Sequence, residues 1–220
     1  MKYCLKIYYW ALMILFTTYC YPQNPCLGFD SINYGGRWYH TVQIGSQCWL
    51  KENLNVGRMI KVDEQQKNND ILEKYCGFGD SNYCKKFGGL YQWDEAMQYS
   101  VNRVTVQGIC PLGWHIPASN EIDTLIKMVN NNGKVLTALY GGTNSSGFSI
   151  IGGTIRFARA SFGGNNIFFG YFWSSKDKNI ENAIYFCLQR GGDSGDLSVG
   201  GIRQIIGDKN DGRPIRCLKD

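Results

Sequence analysis

The sequence predicts a loop-rich α+β domain stapled by disulfides. Three observations point there. Glycine is abundant at 27 and proline scarce at 5, with aromatics at 14%; such a chain turns often and has much ring surface to bury. Few stretches carry helical periodicity, and most apolar residues fall in strand-length runs between glycine pairs. The nine cysteines suit a cross-linked chain exported to an oxidising compartment.

The first twenty residues set that compartment. Lys2 and Lys6 give a short positive region, residues 7–16 (IYYWALMILF) form an uncharged apolar run, and Pro22 follows a brief polar stretch. This is the layout of a secretory signal peptide over residues 1–20, cut before Tyr21 with Thr18 and Cys20 at the −3 and −1 positions. The apolar run falls short of the roughly 20 residues that span a bilayer. Cys20 is also where a lipid anchor would attach, a rival that bulky Tyr19 disfavours. Residues 21–29 read as an extended leader and residues 30–220 as one domain, long enough for a real core. No second apolar run follows, so no transmembrane segment is expected.

Composition excludes some partners. There are 23 basic and 18 acidic residues, a formal +5, and the basic ones are scattered; nucleic-acid binding would need a dense basic stripe. Two cysteines fall in the signal peptide and seven beyond it: Cys26, Cys48, Cys76, Cys84, Cys110, Cys187 and Cys217. An odd number means disulfides plus one leftover thiol. No Cys-x-x-Cys pair exists, and His40 and His115 lack a second ligand at zinc spacing.

Along the chain, residues 37–50 read as a hairpin, with Gly45-Ser46 as a two-residue turn. Residues 63–70 (DEQQKNND) are a polar surface loop. Residues 90–99 (LYQWDEAMQY) suggest a short helix with Trp93, Ala96 and Met97 inward. The clearest helix follows Pro117: Ser119 is a suitable N-cap, Glu121 and Asp123 complement the helix dipole, and Ile122, Leu125, Ile126 and Val129 make one buried stripe. Asn130 to Gly133 ends it. Strand candidates are residues 148–155, 168–174, 183–189 and 214–218. Cys76 and Cys84 lie in one short segment (CGFGDSNYC) and should pair locally. Cys26 of the leader and Cys48 of the hairpin should pair to pin the leader.

Several runs then become recognisable in order: residues 41–57 (TVQIGSQCWLKENLNVG), 88–97 (GGLYQWDEAM), 106–117 (VQGICPLGWHIP), 147–151 (GFSII), 172–175 (FWSS) and the ending 215–220 (IRCLKD). Over residues 30–220 the chain resembles the Fibrobacter succinogenes major paralogous domain, a family of exported bacterial proteins whose biochemical role is not established. Ile122 stands where that family often has Trp, and Pro214 opens a final strand that usually reads S-V-R-C. The resemblance implies a fold related to the C-type-lectin-like and sulfatase-modifying-factor proteins, an irregular antiparallel sheet with two helices and long glycine-rich loops. It also implies a long disulfide, Cys110–Cys217, between the segment before the main helix and the last strand, leaving Cys187 as the thiol. With the signal peptide, it places the protein in a bacterium's exported set: secreted, at the outer cell surface or in the periplasm.

Chemistry is less legible. Calcium is a candidate at Asp208, Asn210 and Asp211 (DKNDG) and near Asp193 and Asp196, but turn propensity explains these loops. No cofactor is expected. His115 near Cys110 reads as packed, His40 as a solvent-facing strand residue. Among carboxylates, Glu52, Asp94, Glu95, Glu121 and Asp123 form no evident acid/base pair. The expected function is therefore non-catalytic recognition of a glycan or surface protein, with an envelope-structural role or a sulfatase-modifying-type enzyme as alternatives. The ligand site is placed on the loops at residues 161–171 and 190–203, using Asn165, Asn166, Tyr171, Arg190 and Asp193.

Overall fold

The structure is a computed structural model that describes residues 24–100, 107–139, 141–163, 170–190 and 199–220. The expected signal peptide with Cys20, the start of the expected leader, and Asn165, Asn166, Asp193 and Asp196 lie outside the described residues.

Tight turns build the first sheet. Strand β1 (Ser31–Tyr34) meets β2 (Arg37–Ile44) through Gly35-Gly36, whose φ values are +57° and +75°. A two-residue turn with both φ positive matches the right-handed twist of its strands. Gly45, at φ +59°, and Ser46 lead from β2 into β3 (Gln47–Leu50), the expected hairpin. A parallel pair, β4 (Arg58–Met59) and β5 (Glu73–Lys74), precedes α1 (Ser81–Phe87) and α2 (Trp93–Ala96). Then come β6 (Trp114–His115), α3 (Ser119–Met128), the β7 (Arg156–Phe157) and β8 (Ser161–Phe162) ribbon, and β9 (Tyr171–Asp177), β10 (Asn182–Arg190) and β11 (Val199–Asp208). The chain closes with β12 (Leu218–Lys219). One sheet has the order β1-β2-β3-β12-β6 and the other β11-β10-β9, both antiparallel. Mixed helix and mostly antiparallel sheet is thus the observed class. No helix among the described residues is long and apolar enough to cross a membrane.

Two large apolar clusters fill the interior, beside a small third of Ile60, Tyr75 and Leu90. One gathers Tyr39, Leu50, Tyr91, Trp93, Trp114, Trp173 and Ile215. The other joins Ile122 and Leu125 of α3 to Trp49, Phe148, Phe172, Phe186 and Leu188. Trp49 meets Phe148 edge-on at 5.4 Å between centroids, a geometry favoured by ring quadrupoles. The disulfides are Cys26–Cys48, Cys76–Cys84 and Cys110–Cys217, and Cys187 is free and buried. By loop entropy the bridge over 107 residues contributes most, about 4.7 kcal/mol.

Arg216 crosses between the two clusters, fully buried. Its Nη1 donates to the carbonyls of Phe148 (2.7 Å) and Leu50 (3.2 Å), and its Nε and Nη2 donate to Asn53 Oδ1 (3.0 and 2.6 Å). Phe148 and Phe172 lie within 4.8 and 5.2 Å of the guanidinium. Burial pushes this group below the usual arginine range.

The structure corrects several sequence expectations. Among the described residues there are three α-helices, not two: residues of the Cys76–Cys84 segment form α1, capped by the Asp80 side chain on Asn82 N–H. The main helix has Ala118 at its N-cap, and Ser119 is its first residue. Glu121 reaches back 2.8 Å to the Ala118 N–H, so the carboxylate caps where the hydroxyl was expected to. The helix at residues 90–99 shrinks to α2. Residues 148–155 are not a strand: Ile150 bridges Thr137 alone, because Phe148 and Ile150 are fixed by core packing rather than by a ladder. Of residues 214–218 only Leu218 belongs to β12, and the stretch before it is held by side-chain contacts such as those of Arg216. Residues 199–203, expected in a ligand loop, start β11 and pair with β10.

His115 is not merely packed. Its Nδ1 lies 2.6 Å from Asp220 Oδ1, and its Nε2 3.0 Å from both Glu121 oxygens. Burial works against the imidazolium, but these carboxylates outweigh it and raise the histidine above its ordinary 6.5. Burial likewise opposes the Glu121 charge, and His115 with the Ala118 N–H overcomes it, holding Glu121 below 4.5. A raised histidine stabilises fully below pH 6.5 and loses this as pH climbs through its folded value; a lowered glutamate loses its share as pH falls through its own. His115→Asn should therefore cost most stability between about pH 4.5 and 6.5, and progressively less above. Urea unfolding of both proteins across pH reads this; a pH-independent difference would contradict it.

Candidate functional site

The three-stranded sheet has two unlike faces, and strand alternation assigns them. Register places Tyr185 beside Trp173 and Ile205, and Cys187 beside Tyr171 and Arg203. Side chains of period two then put Tyr171, Trp173, Tyr185, Cys187, Arg203 and Ile205 on one face. The other carries Phe172, Phe186, Leu188 and Ile202 into the second cluster. On the first face Trp173 is sealed by its indole N–H to the Tyr91 carbonyl at 2.8 Å, while Tyr171 and Tyr185 are half-buried and Arg203 and Ile205 exposed.

Arg213 lies across this face from the segment before β12. Its Cζ sits 3.9 Å from the Tyr185 centroid, 4.9 Å from that of Trp173 and 5.8 Å from that of Tyr171. Gly207, on β11 opposite Ala183, makes room: a Cβ there would stand 2.7 Å from Arg213 Nη2. Nη2 donates to Asp211 Oδ2 at 2.6 Å, whereas Nε and Nη1 are buried with no acceptor among the described residues. Such donors normally find partners; here aromatic rings occupy the space around them. Burial lowers Arg213, which the Asp211 charge opposes, and raises Asp211, which the guanidinium opposes. Burial also raises Tyr171 and Tyr185, and it pushes the Cys187 thiol up to about 11. Both tyrosines therefore stay phenolic and Cys187 stays a thiol at neutral pH.

Of the sequence-derived ligand residues, Tyr171 belongs to this face and Arg190 ends β10. Asn165, Asn166 and Asp193 lie outside the described residues. Tyr185, Arg203, Ile205 and Arg213 were not foreseen. The alternation in residues 183–189 could have supplied Tyr185, but Arg213 reaches the face through tertiary packing that no local pattern signals.

Other candidates resolve differently. Cys110 is bonded to Cys217, and both His115 nitrogens face carboxylates. In the calcium-like loop, Asp211 serves Arg213 and the Ala158 N–H, and Asp208 accepts from Asn210. No group of three metal-ligating acidic, histidine or cysteine side chains occurs among the described residues. Glu52 holds His40, Asp123 accepts from Gln204, and buried Glu95, raised by desolvation, caps the Glu73 N–H. A groove of about 460 Å³ lies between β2 and the end of α3, lined by Gln43, Met128, Asn130, Asn132 and Ser146. Its Gln43, Asn132 and Ser146 side chains already bond to local backbone.

The fold and this face define a disulfide-stapled mixed α/β domain that presents tyrosines over a buried arginine. The Fibrobacter succinogenes major domain profile matches residues 42–219, and the chain belongs to that family. No curated protein and no solved structure matches it.

Cys187 should resist alkylation. Iodoacetamide at neutral pH is expected to leave its peptide unmodified in the native protein and to label it in guanidinium, as peptide mapping would show. Native labelling would contradict its burial.

Proposed function

We propose that this protein is an exported, non-catalytic recognition module of C-type-lectin-like fold, acting at a bacterial surface or in the periplasm. Its ligand, a glycan or a surface protein, seats on the Tyr171–Tyr185–Arg203–Ile205 face. The observation that carries this is the set of half-buried tyrosine rings packed against Arg213, whose Nε and Nη1 are buried with no acceptor among the described residues. Rigid aromatics beside a cation are the residues that anchor recognition, since they offer area and hydrogen bonds at small entropic cost. The three disulfides suit an oxidising compartment. Asn165, Asn166, Arg190 and Asp193 belong to the same reading as further polar contacts.

The exported chain should first be screened on glycan and surface-protein arrays. Tyr171→Ala is then expected to weaken the ligand found by about tenfold or more, and Tyr185→Phe, which keeps the ring, to weaken it less. Full binding by Tyr171→Ala would remove this face from the account.

A further inference from the structure

A second surface, on the opposite sheet, has a different chemistry. Trp49, Trp93, Trp114 and Trp173 are each at most 2% exposed, whereas Trp38 is 61% exposed. Scattered apolar residues on a surface are ordinary; Trp38 stands at the open end of a core stripe on β2. Further along the same face of β2, Val42 packs against the second cluster and Ile44 belongs to it. At His40 and Trp38 that cover stops. The strand beneath is fixed, since β2 is paired with β1 on one side and β3 on the other.

The neighbours of the indole are polar and small. Asn33 stands directly across from Trp38, and Ser31 across from His40. His40 is held by Glu52, which takes the ring Nδ1 and the backbone N–H at 2.8 Å each, so the imidazole presents its Nε2 edge outward. Arg37 points to the other face, over Tyr39 and onto the Lys85 carbonyl. The strip therefore offers one flat aromatic surface flanked by an amide, an imidazole and a hydroxyl, with Glu52 occupied by His40.

These features select the occupant. Trp38 is the one exposed large apolar side chain on β1 and β2, far short of the roughly 20–30 residues a side that a stable protein interface uses. One ring with hydrogen-bonding edges matches one ring of ligand. A pyranose has an apolar C–H face to lay on the indole and equatorial hydroxyls to reach Asn33 and His40. Glu52, the acid at the strip, is already paired with His40, so its carboxylate does not compete for a neutral sugar's hydroxyls. We propose that Trp38, with Asn33 and His40, is a stacking site for one pyranose ring of a neutral polysaccharide, independent of the face that carries Tyr171.

The test is a titration of the exported, disulfide-bonded protein, following the Trp38 indole N–H by NMR. The probes are neutral hexasaccharides of glucose, mannose, xylose and N-acetylglucosamine. One of them is expected to shift that signal. Trp38→Ala should abolish the binding with an unchanged melting temperature, Trp38→Phe should retain it about tenfold weaker, and His40→Ala should weaken it several-fold. The proposal is overturned if no hexasaccharide moves the Trp38 signal, or if Trp38→Ala binds as the parent does. A saccharide whose binding is lost in Tyr171→Ala but kept in Trp38→Ala would overturn it while leaving the recognition reading intact.

Discussion

Arg216 is a cation placed where a protein least tolerates one, and the surrounding fold is arranged to receive it. Among the described residues no carboxylate bonds it; its donors end on two backbone carbonyls and an asparagine oxygen, with phenylalanine rings alongside. Those acceptors come from β3, from the loop after it and from the irregular stretch around Phe148. The neighbouring Cys217 is bonded to Cys110, and Leu218 pairs with both Trp49 and His115. One short segment thus ties the start, middle and end of the chain. An unpaired buried polar group costs roughly 1–3 kcal/mol, so each element must arrive in register for the guanidinium to be satisfied. This gives a physical reason for the recognisable ending IRCLKD.

The same logic separates core from site. Arg156, like Arg216, spends its donors on carbonyls, those of Val62 and Asn210, while stacking on Tyr75. Arg213 differs: among the described residues only Nη2 has a hydrogen-bond acceptor, and of the rings around it Tyr171 and Tyr185 are half-buried while Trp173 is sealed. Three buried arginines on one scaffold therefore divide into two that fasten loops and one whose bonding capacity is not used up within the described residues.

What the sequence revealed follows from the range of each interaction. The β2–β3 hairpin, the stripe of α3 and the Cys76–Cys84 bridge are local, and periodicity, a Gly-Ser turn and an eight-residue separation announce them. The Cys110–Cys217 bridge came from family resemblance, since nothing local links residues so far apart. Strand β1 was missed although Gly35-Gly36 between Tyr34 and Arg37 is a hairpin signal in its own right. Strand β11 was missed because its Gly200-Gly201 pair reads as loop, whereas pairing with β10 overrides that propensity. Tyr171 was reached by counting alternate aromatics, but Arg213 could not be, because it approaches its site from across the sheet.

If Arg216 is the constraint that sets the register, replacing it should cost far more than a surface change. Urea unfolding at neutral pH with the disulfides intact is the direct measurement. Arg216→Lys keeps the charge but cannot reach Asn53, Leu50 and Phe148 together, and it should lose at least about 3 kcal/mol. A loss within about 0.5 kcal/mol, the range of a surface substitution, would contradict the central place given to this side chain.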